Sequence, residues 1–299
     1  MMTDTLAKFQ QANPPKKGKR TSQILEVLKS SVHSPSAKIG AILLVFMIVI
    51  SIAAPLIAPY GVNEMDLLNP HQQPSAEHIM GTDEMGRDQF TRLLYGGRYS
   101  LAIGLVVALF STLVAVILGC VAGYFGGLAE SLIMRAMDVL SALPSILMCI
   151  LISTALGSGF VNTVIALSVS QIPSFARMMR AQVLAERYQE YLEAAYIINA
   201  SKARIMFKHM FPNAISPMII CFTMGIGDNI GLAAALSFIG LGVRPPTPEW
   251  GALLASSRTH MINYPFLIIY PGLFIMVTIL AANLLGDGFR DALDPKLRK

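Results

Sequence analysis

The sequence predicts an all-α, polytopic membrane protein with six transmembrane helices. Two observations support this prediction. First, 54% of the 299 residues are hydrophobic and only 14% are charged, whereas soluble domains carry about 25% charged residues. Second, charged residues are absent from several long runs, and roughly 20 apolar residues are enough for one helix to cross a bilayer. A bilayer is therefore the predicted environment of the excess apolar surface.

The positions of the charged residues set the boundaries of the six spans. Four runs contain no Lys, Arg, Asp or Glu, and a fifth is interrupted only by Asp228. The run 139–176 is too long for one span at about 1.5 Å per residue, and it contains the break Leu156-Gly157-Ser158-Gly159, so we divide it. The predicted spans are 39–60, 99–123, 132–155, 160–182, 214–241 and 263–285.

The distribution of basic residues predicts the orientation of the chain. Six spans place both termini on one side, and 18 of the 23 Lys and Arg residues lie in the termini, the loops and the adjoining ends of the spans on that side. The positive-inside rule therefore predicts cytoplasmic termini. The basic N-terminal tail is either an unstructured arm or a contact for anionic lipid. The predicted organisation is a cytoplasmic tail 1–38, a first span 39–60, an external loop 61–98, a five-helix core 99–285 that includes a cytoplasmic loop 190–213, and a cytoplasmic tail 286–299.

Two threonines in the outer loops are candidate helix N-caps. Thr82 precedes two acidic residues, and Thr247 precedes Pro248 and Glu249, which suit the first turn of a helix. Trp250, the single tryptophan, would then lie at the outer membrane interface, where an indole ring is favoured.

The sequence lacks the motifs of the common enzyme classes. It contains no phosphate-binding loop of the G-x-x-x-x-G-K-[ST] type, no H-E-x-x-H zinc motif and no G-x-S-x-G hydrolase motif. The five histidines are scattered, and the three cysteines lie in apolar runs without metal-ligand spacing. We therefore expect no catalytic residue, no metal and no cofactor. The net charge of +5 follows membrane orientation and does not indicate nucleic acid.

Two acidic residues lie in or near predicted spans. Asp138 is close to the inner surface, where an ion pair with Arg135 would explain it. Asp228 is deep in the fifth span, next to Asn229 and among Gly225, Gly227 and Gly231. A carboxylate inside a membrane is costly unless it faces a cavity or a partner. Asp228 and Asn229 are therefore candidates for a translocation path, and the alternative is an interhelical hydrogen bond.

The segment Tyr191–Ile215 is unusually charged for this chain and lies between two spans. It predicts two short amphipathic helices. Leu192, Ala195 and Ile198 share one face of the first helix, and Asn199 suits the left-handed conformation that ends it. Pro212 is expected to end the second. Such a pair either lies on the membrane or inserts into a groove on another protein.

This segment resembles the EAA loop of ABC importer permeases. The similarity rests on Glu193-Ala194-Ala195, on Asn199 where the family usually has Gly, and on Phe211-Pro212 where it has Leu-Pro. Three further stretches resemble the C-type permease subunit of dipeptide, oligopeptide and nickel importers: GTDEMGRD (81–88), LSFIGLGVRPPTPEWGALL (236–254) and NLLGDGFRDALDPKLR (283–298). Many relatives carry an acid where this chain has Ala233.

The resemblance implies the fold of a type I ABC importer permease in a bacterial inner membrane, surrounded by lipid. It also implies a second permease subunit, two cytoplasmic ABC ATPase subunits that hydrolyse ATP, and an external solute-binding protein. Glu193 would orient the loop in a cleft of one ATPase, Ala194 and Ala195 would permit close approach, and Asn199, Phe211 and Pro212 would complete this coupling site.

The substrate that the resemblance implies is a di- or oligopeptide. Nickel chelates, glutathione and other small solutes are alternatives within the same architecture. Two other classes of protein remain open from the residues alone. A self-sufficient channel or secondary transporter would be expected to show inverted repeats and more ionisable groups in its spans. A membrane scaffold would use the charged loop only as a docking site.

Overall fold

The computed structural model describes residues 34–197 and 199–293, and these residues are mostly helical, with long loops at 58–88 and 239–249. The expectations for the N-terminal tail before residue 34 and for the last six residues lie outside the described residues. In chain order the α-helices are α1 (Pro35–Ile52), α2 (Ala54–Ile57), α3 (Gln89–Phe125), α4 (Gly127–Leu140), α5 (Ser145–Leu156), α6 (Phe160–Arg187), α7 (Glu190–Ile197), α8 (Lys202–Arg204), α9 (Phe211–Ala214), α10 (Ser216–Phe238), α11 (Trp250–Ser257) and α12 (Phe266–Leu293). A π-helix (Ile205–Met210) and a 3₁₀-helix (Arg258–His260) complete them.

Four of the described helices, α1, α3, α10 and α12, are long and apolar enough to cross a membrane. The pair α4 and α5 qualifies as a fifth, broken span. The remaining predicted span lies in α6, which has 28 residues but does not meet the same apolar criterion. Polar side chains such as Asn162 and Gln171 reduce its apolar character. The helical membrane architecture is confirmed, and the count of six spans is not.

The predicted third span is not one straight helix. Helices α4 and α5 meet at an angle of 81° across the segment 141–144. Pro144 is the residue before α5, and its backbone is extended (φ −53°, ψ 141°). Proline fixes φ and disfavours helical conformation in the residue before it, which explains the break. The predicted span 132–155 is therefore bent sharply next to Pro144.

Helix α3 is the centre of the bundle and packs against α6, α10 and α1. Its contact with α6 is close because two glycines one turn apart face that helix. A Cβ atom at Gly119 would lie 2.6 Å from the Met179 Cβ, and one at Gly123 would lie 2.8 Å from the Val183 Cβ. Small residues at this spacing allow membrane helices to approach closely. Large apolar side chains on the other face of α3, among them Leu109 and Phe110, are exposed, as expected for a surface that contacts lipid.

At the end of the bundle opposite residues 190–213, a tight polar turn precedes α3. We call this the outer end, and the other the inner end, following the predicted orientation. The Asp83 carboxylate accepts hydrogen bonds from the backbone N–H groups of Met85 and Arg87, and it pairs with the Arg87 guanidinium at 2.7 Å. Asp88 caps α3 by accepting from the Thr91 N–H at 2.7 Å. The predicted cap at Thr82 is therefore wrong: the acids after it close a turn, and the helix begins at Gln89.

Helix α11 is clamped to α3 by a buried glutamate. The Glu249 carboxylate accepts hydrogen bonds from the N–H groups of Gly251 and Ala252, each at 2.9 Å, and from the Ser100 hydroxyl at 3.0 Å. Glu249, and not the predicted Thr247, is thus the N-cap. Trp250 is fully buried, and its indole N–H donates to the Leu93 carbonyl at 2.9 Å. The predicted interfacial position of Trp250 is also wrong, because α3 and α12 enclose its ring.

We expect Glu249→Ala to destabilise the protein by about 2–4 kcal/mol, because three buried donors lose their acceptor at once. The midpoint of thermal unfolding in detergent should fall by several degrees. Glu77→Ala is the matched control, since Glu77 is exposed at the same end of the bundle and should leave the midpoint unchanged. Equal midpoints for the two variants would show that the clamp does not contribute to stability.

Candidate functional site

The first half of the segment Tyr191–Ile215 is helix α7, which lies against the inner ends of α3 and α6. Leu192 and Ala195 are buried in one apolar cluster with Tyr124, Met179 and Val183. The expected close approach at Ala195 is therefore made to the chain's own bundle, because this face is already covered. Ala194 lies within α7. The expectations for the Ala194 side chain and for Ile198 concern atoms outside the described part of the chain.

Helix α7 ends at Asn199 in the way that the sequence predicts. Asn199 has a left-handed backbone with φ of 54°. The Ala200 N–H donates to the Ala195 carbonyl at 3.1 Å. This six-to-one hydrogen bond with a left-handed residue inside it is the Schellman motif, which Gly usually forms and Asn tolerates. The local turn that the resemblance requires is therefore formed with Asn.

The second half of the segment is a helix of changing width. Ser201 caps α8, and the chain then continues through the π-helix Ile205–Met210 into α9. Pro212 lies in the first turn of α9. The prediction that Pro212 ends this helix is therefore wrong: a first-turn proline needs no N–H of its own, and the helical path continues through Ile215 to α10. Phe211 packs against the apolar cluster beneath the segment, while Pro212 is exposed.

Tyr191 joins the two halves of the segment, a role that the sequence analysis did not assign. Its hydroxyl donates to the Glu186 carboxylate at the end of α6. The same hydroxyl accepts from the Asn213 amide at 2.8 Å, and that amide also donates to the His209 carbonyl at 3.0 Å. A tyrosine at the start of an amphipathic helix carries no distinctive sequence signal, because the three partners come together only in the fold.

The solvent-exposed face of the segment combines charged side chains with exposed apolar side chains. Glu193 is exposed, and no described residue pairs with its carboxylate. Ile197 and Phe207 are 84% and 65% exposed. Lys202 and Arg204 are also exposed. Large apolar groups rimmed by charge are typical of a protein-binding surface. We call Glu193, Ile197, Lys202, Arg204 and Phe207 the docking face.

A cavity of about 710 Å³ opens between α6, α10, the start of α5 and α12. Asp228 lines it, with Ser170, Gln171 and Ser174 from α6 and Cys221 from α10. Asp228 is exposed, so its carboxylate is open to this space. The structure thus places the acid beside a cavity inside the predicted membrane region, which is one of the two environments that the sequence analysis considered.

Asn229 does not line this cavity, and its expected place in a translocation path requires correction. It is fully buried, and its carbonyl oxygen accepts from the Gln171 amide while its own amide donates to the Gly104 carbonyl at 3.5 Å. The Ser111 hydroxyl donates to the Val107 carbonyl of its own helix at 2.7 Å and lies 3.4 Å from the Gln171 oxygen. Asn229 therefore ties α3, α6 and α10 together, because consecutive helical residues point in different directions.

The inner end of α4 is held to α6 by two ion pairs. Arg177 lies 3.5 Å from Asp138 and donates to the Ser141 hydroxyl at 2.9 Å, while Arg180 binds Glu130 through its Nε at 2.7 Å. The expected partner of Asp138 was Arg135. The partner in the structure is Arg177, because the bend after α4 brings the two helices side by side.

Three of the described histidines, His71, His78 and His260, make contacts at the outer end of the bundle. His78 bonds Asp88 at 3.0 Å, and His71 stacks on Tyr264 and lies beside His260. Burial, and then the proximity of His260, lower the pKa of His71 below its usual range. Among the described residues no three His, Cys, Asp or Glu side chains are placed to hold a metal ion.

Comparison with known families gives two matches that cover most of the chain. A family model described as the inner membrane component of binding-protein-dependent transport systems matches residues 115–299. A second model, described as the N-terminal transmembrane domain of oligopeptide transport permease C, matches residues 22–74.

Several characterised proteins are similar over nearly their full length. A di/tripeptide transport system permease protein of Pseudomonas aeruginosa is 41% identical over 283 residues, which is 93% of each chain. A dipeptide transport system permease protein of Alkalihalophilus pseudofirmus is 40% identical over 91% of this chain and 90% of that protein. A glutathione transport system permease protein of Escherichia coli is 44% identical over 88% of this chain and 87% of its own.

Solved structures support the fold. The inward-facing MetNI methionine ABC transporter contains a chain that matches 68% of this one and 97% of its own length, with a TM-score of 0.54 and 17% identity. An amino acid ABC transporter crystallised with histidines gives a TM-score of 0.55 at 16% identity, over 68% of this chain and 95% of that one. At this identity the similarity concerns the fold alone.

We expect Tyr191→Phe to loosen the segment without unfolding the bundle. Loss of the hydroxyl removes the Glu186 and Asn213 contacts at about 1–2 kcal/mol, so amide hydrogen exchange across residues 190–213 should accelerate roughly tenfold. Tyr188→Phe is the control, since Tyr188 is 79% exposed and should exchange as the unmodified protein does. Identical exchange in the Tyr191 variant would mean that the hydroxyl does not hold the two halves together.

Proposed function

Because the chain belongs to the family of inner membrane components of binding-protein-dependent transport systems, we propose that it is the permease subunit of an ATP-driven importer of di- or oligopeptides. The observation that supports this function most directly is the identity of about 40% with peptide permeases over more than nine-tenths of the chain. Glutathione, named in a third relative, is itself a tripeptide. These names favour short peptides over the nickel chelates that the resemblance left open.

The proposed assembly pairs this chain with a second permease subunit, two cytoplasmic ATPase subunits and an external solute-binding protein. The chain contributes no catalytic group, since ATP hydrolysis belongs to the ATPase partners. In this proposal both termini and the docking face lie in the cytoplasm, and the outer end receives the binding protein. The basic residues concentrated at the inner end support that orientation.

The docking face supports a mechanical role for the segment 190–213. The buried side of the segment is fixed to α3 and α6 by the apolar cluster around Leu192, and the second half of the segment continues into α10. A force applied to the exposed side would therefore reach the bundle directly. We propose that Glu193, Ile197 and Phe207 contact an ATPase subunit, and that closure of the ATPases moves α7 together with the helices beneath it.

The cavity beside Asp228 is the proposed part of the translocation path contributed by this chain. Its polar lining comes from the serines and Gln171 of α6, and its apolar lining comes from residues such as Phe175 and Met224. A mixed lining suits a peptide, which carries both backbone amides and apolar side chains. Alternating access would expose this space first to the outer and then to the inner side.

The proposal is tested by reconstituting the complete complex in proteoliposomes with its binding protein. We expect ATP-dependent uptake of a labelled dipeptide such as Ala-Ala, and calorimetry should show that the purified binding protein binds the same peptide. A binding protein that takes only metal chelates or sugars would exclude peptide import.

We expect Glu193→Ala to reduce ATP-dependent uptake about tenfold or more, because hydrogen bonds to a charged group contribute roughly 1.5–3 kcal/mol at an interface. Membrane abundance should stay the same, since no described residue depends on the Glu193 carboxylate. Glu190→Ala is the matched control in the same helix, where the side chain is also exposed. Full uptake by the Glu193 variant would contradict the coupling role.

A further inference from the structure

The Asp228 carboxylate is the charged side chain of the cavity between α6 and α10. No described Lys, Arg or His side chain lines that cavity, and the other polar groups there are hydroxyls, the Gln171 amide and the Cys221 thiol. No described residue forms a hydrogen bond or an ion pair with Asp228, although it lies midway along a membrane-spanning helix. An ionisable group inside a membrane protein is retained at a cost, and it commonly marks a substrate or ion pathway.

The backbone around Asp228 leaves space for a ligand. Gly225 and Gly231 lie three residues before and after it and line the same cavity. A Cβ atom at Gly225 would meet only ordinary contacts, the nearest being the Ala108 Cβ at 3.9 Å, and one at Gly231 would meet the tip of Ile279 at 3.3 Å. Close helix packing therefore does not require glycine at either position. Both glycines leave bare backbone in the wall of the cavity on either side of the carboxylate.

The rest of the lining fixes the chemistry that this space accepts. Ser170 and Ser174 are four residues apart and so lie on one face of α6. Gln171, between them, is held by the hydrogen bond that its amide donates to Asn229 and is not free to turn toward the carboxylate. A negative group facing neutral hydroxyls attracts a cation that donates hydrogen bonds. A primary ammonium group has three donors and one positive charge, and it meets both requirements.

We propose that Asp228 is a specificity-determining residue that binds the ammonium group of the translocated peptide and makes this cavity attract cations. This inference rests on the proposed function, because it names the part of the peptide that the path recognises. An alternative role for Asp228, a hydrogen bond to a helix of the second permease subunit, makes the opposite predictions in the experiment below.

Cys221 provides a reporter inside the cavity that does not depend on transport. It lies seven residues before Asp228 on α10, so the two are about 10 Å apart along the helix axis. Cys221 is half-buried, whereas the other two cysteines of the chain, Cys120 and Cys149, are buried. The probes are two methanethiosulfonate reagents of similar size, one with a trimethylammonium group and one with a sulfonate group. The Cys221→Ser variant should not be modified, which would show that Cys221 is the residue that reacts.

The modification rates are measured by mass spectrometry of this chain, with the complete complex in nanodiscs at low ionic strength. Relative to a free thiol, we expect the ratio of cationic to anionic rates to be raised about fivefold by a charge at that distance. Asp228→Asn should bring the ratio to within about twofold of the free thiol, and Asp228→Glu should keep it raised. Asp138→Asn is the control, since Asp138 is paired with Arg177 at the inner end and should not change the ratio.

Uptake of Ala-Ala by the same complexes, at saturating binding protein, completes the test. We expect Asp228→Asn to lower uptake at least about fivefold and Asp228→Glu to restore most of it. The inference would be overturned if the Asp228→Asn complex had the same rate ratio as the wild-type complex, or the same uptake. Loss of the second permease subunit from the Asp228→Asn complex, with the ratio unchanged, would assign the interhelical role instead.

Two further measurements distinguish failure of this inference from failure of the proposed function. If Asp228→Asn does not assemble, the ratio in the unmodified complex is measured in about 10 mM and about 1 M salt, where an electrostatic effect should largely disappear; a salt-independent ratio would overturn the inference. If the unmodified complex takes up no peptide with ATP, the proposed function fails. The labelling ratio still decides whether Asp228 attracts cations.

Discussion

A chain of hydrogen bonds through the membrane interior fixes how the three central helices pack. It runs from Gln171 on α6 through Asn229 on α10 to the Gly104 carbonyl on α3, and the Gln171 oxygen lies 3.4 Å from the Ser111 hydroxyl of α3. Hydrocarbon offers no partner for an amide, so each of these groups must be satisfied by another helix. Sliding or turning any one of the helices would leave a buried amide unpaired. The rotation that satisfies Asn229 is also the rotation that turns Asp228 toward the cavity.

The same constraint explains why α6, although predicted as a span, is less apolar than the other spans. Long apolar runs locate α1, α3, α10 and α12, because these helices have one face in lipid. Helix α6 is surrounded by α3, α5 and α10, and its polar side chains serve the hydrogen-bond chain and the cavity. It therefore reads as less apolar than its neighbours. Sequence composition reports contact with lipid, and it loses accuracy for a helix enclosed by protein.

Local rules predicted the conformation of Asn199 correctly and failed at Thr82, Thr247 and Pro212. The turn at Asn199 depends on bonds within six residues, so the sequence carries the information. The cap bonds of Asp88 and Glu249 are local, but the Glu249 carboxylate also accepts from the distant Ser100 hydroxyl, a contact that the local sequence does not show. At Ala195 the pattern indicated an amphipathic helix. An apolar face does not specify which protein surface covers it, and here the chain's own helix bundle does. Tyr191 could not have been found, because its three partners meet only after folding.

The helical path is continuous from the docking face into α10. The length of α10 therefore decides how far its residues move when its inner end moves. Asp228 lies 12 residues into α10, about 18 Å from the helix start at Ser216. If α10 pivoted by about 10° at its inner end, the Asp228 carboxylate would move sideways by about 3 Å, roughly the diameter of a water molecule. A small rotation at the inner end would therefore move the carboxylate by about the size of the smallest molecule that the cavity admits or excludes.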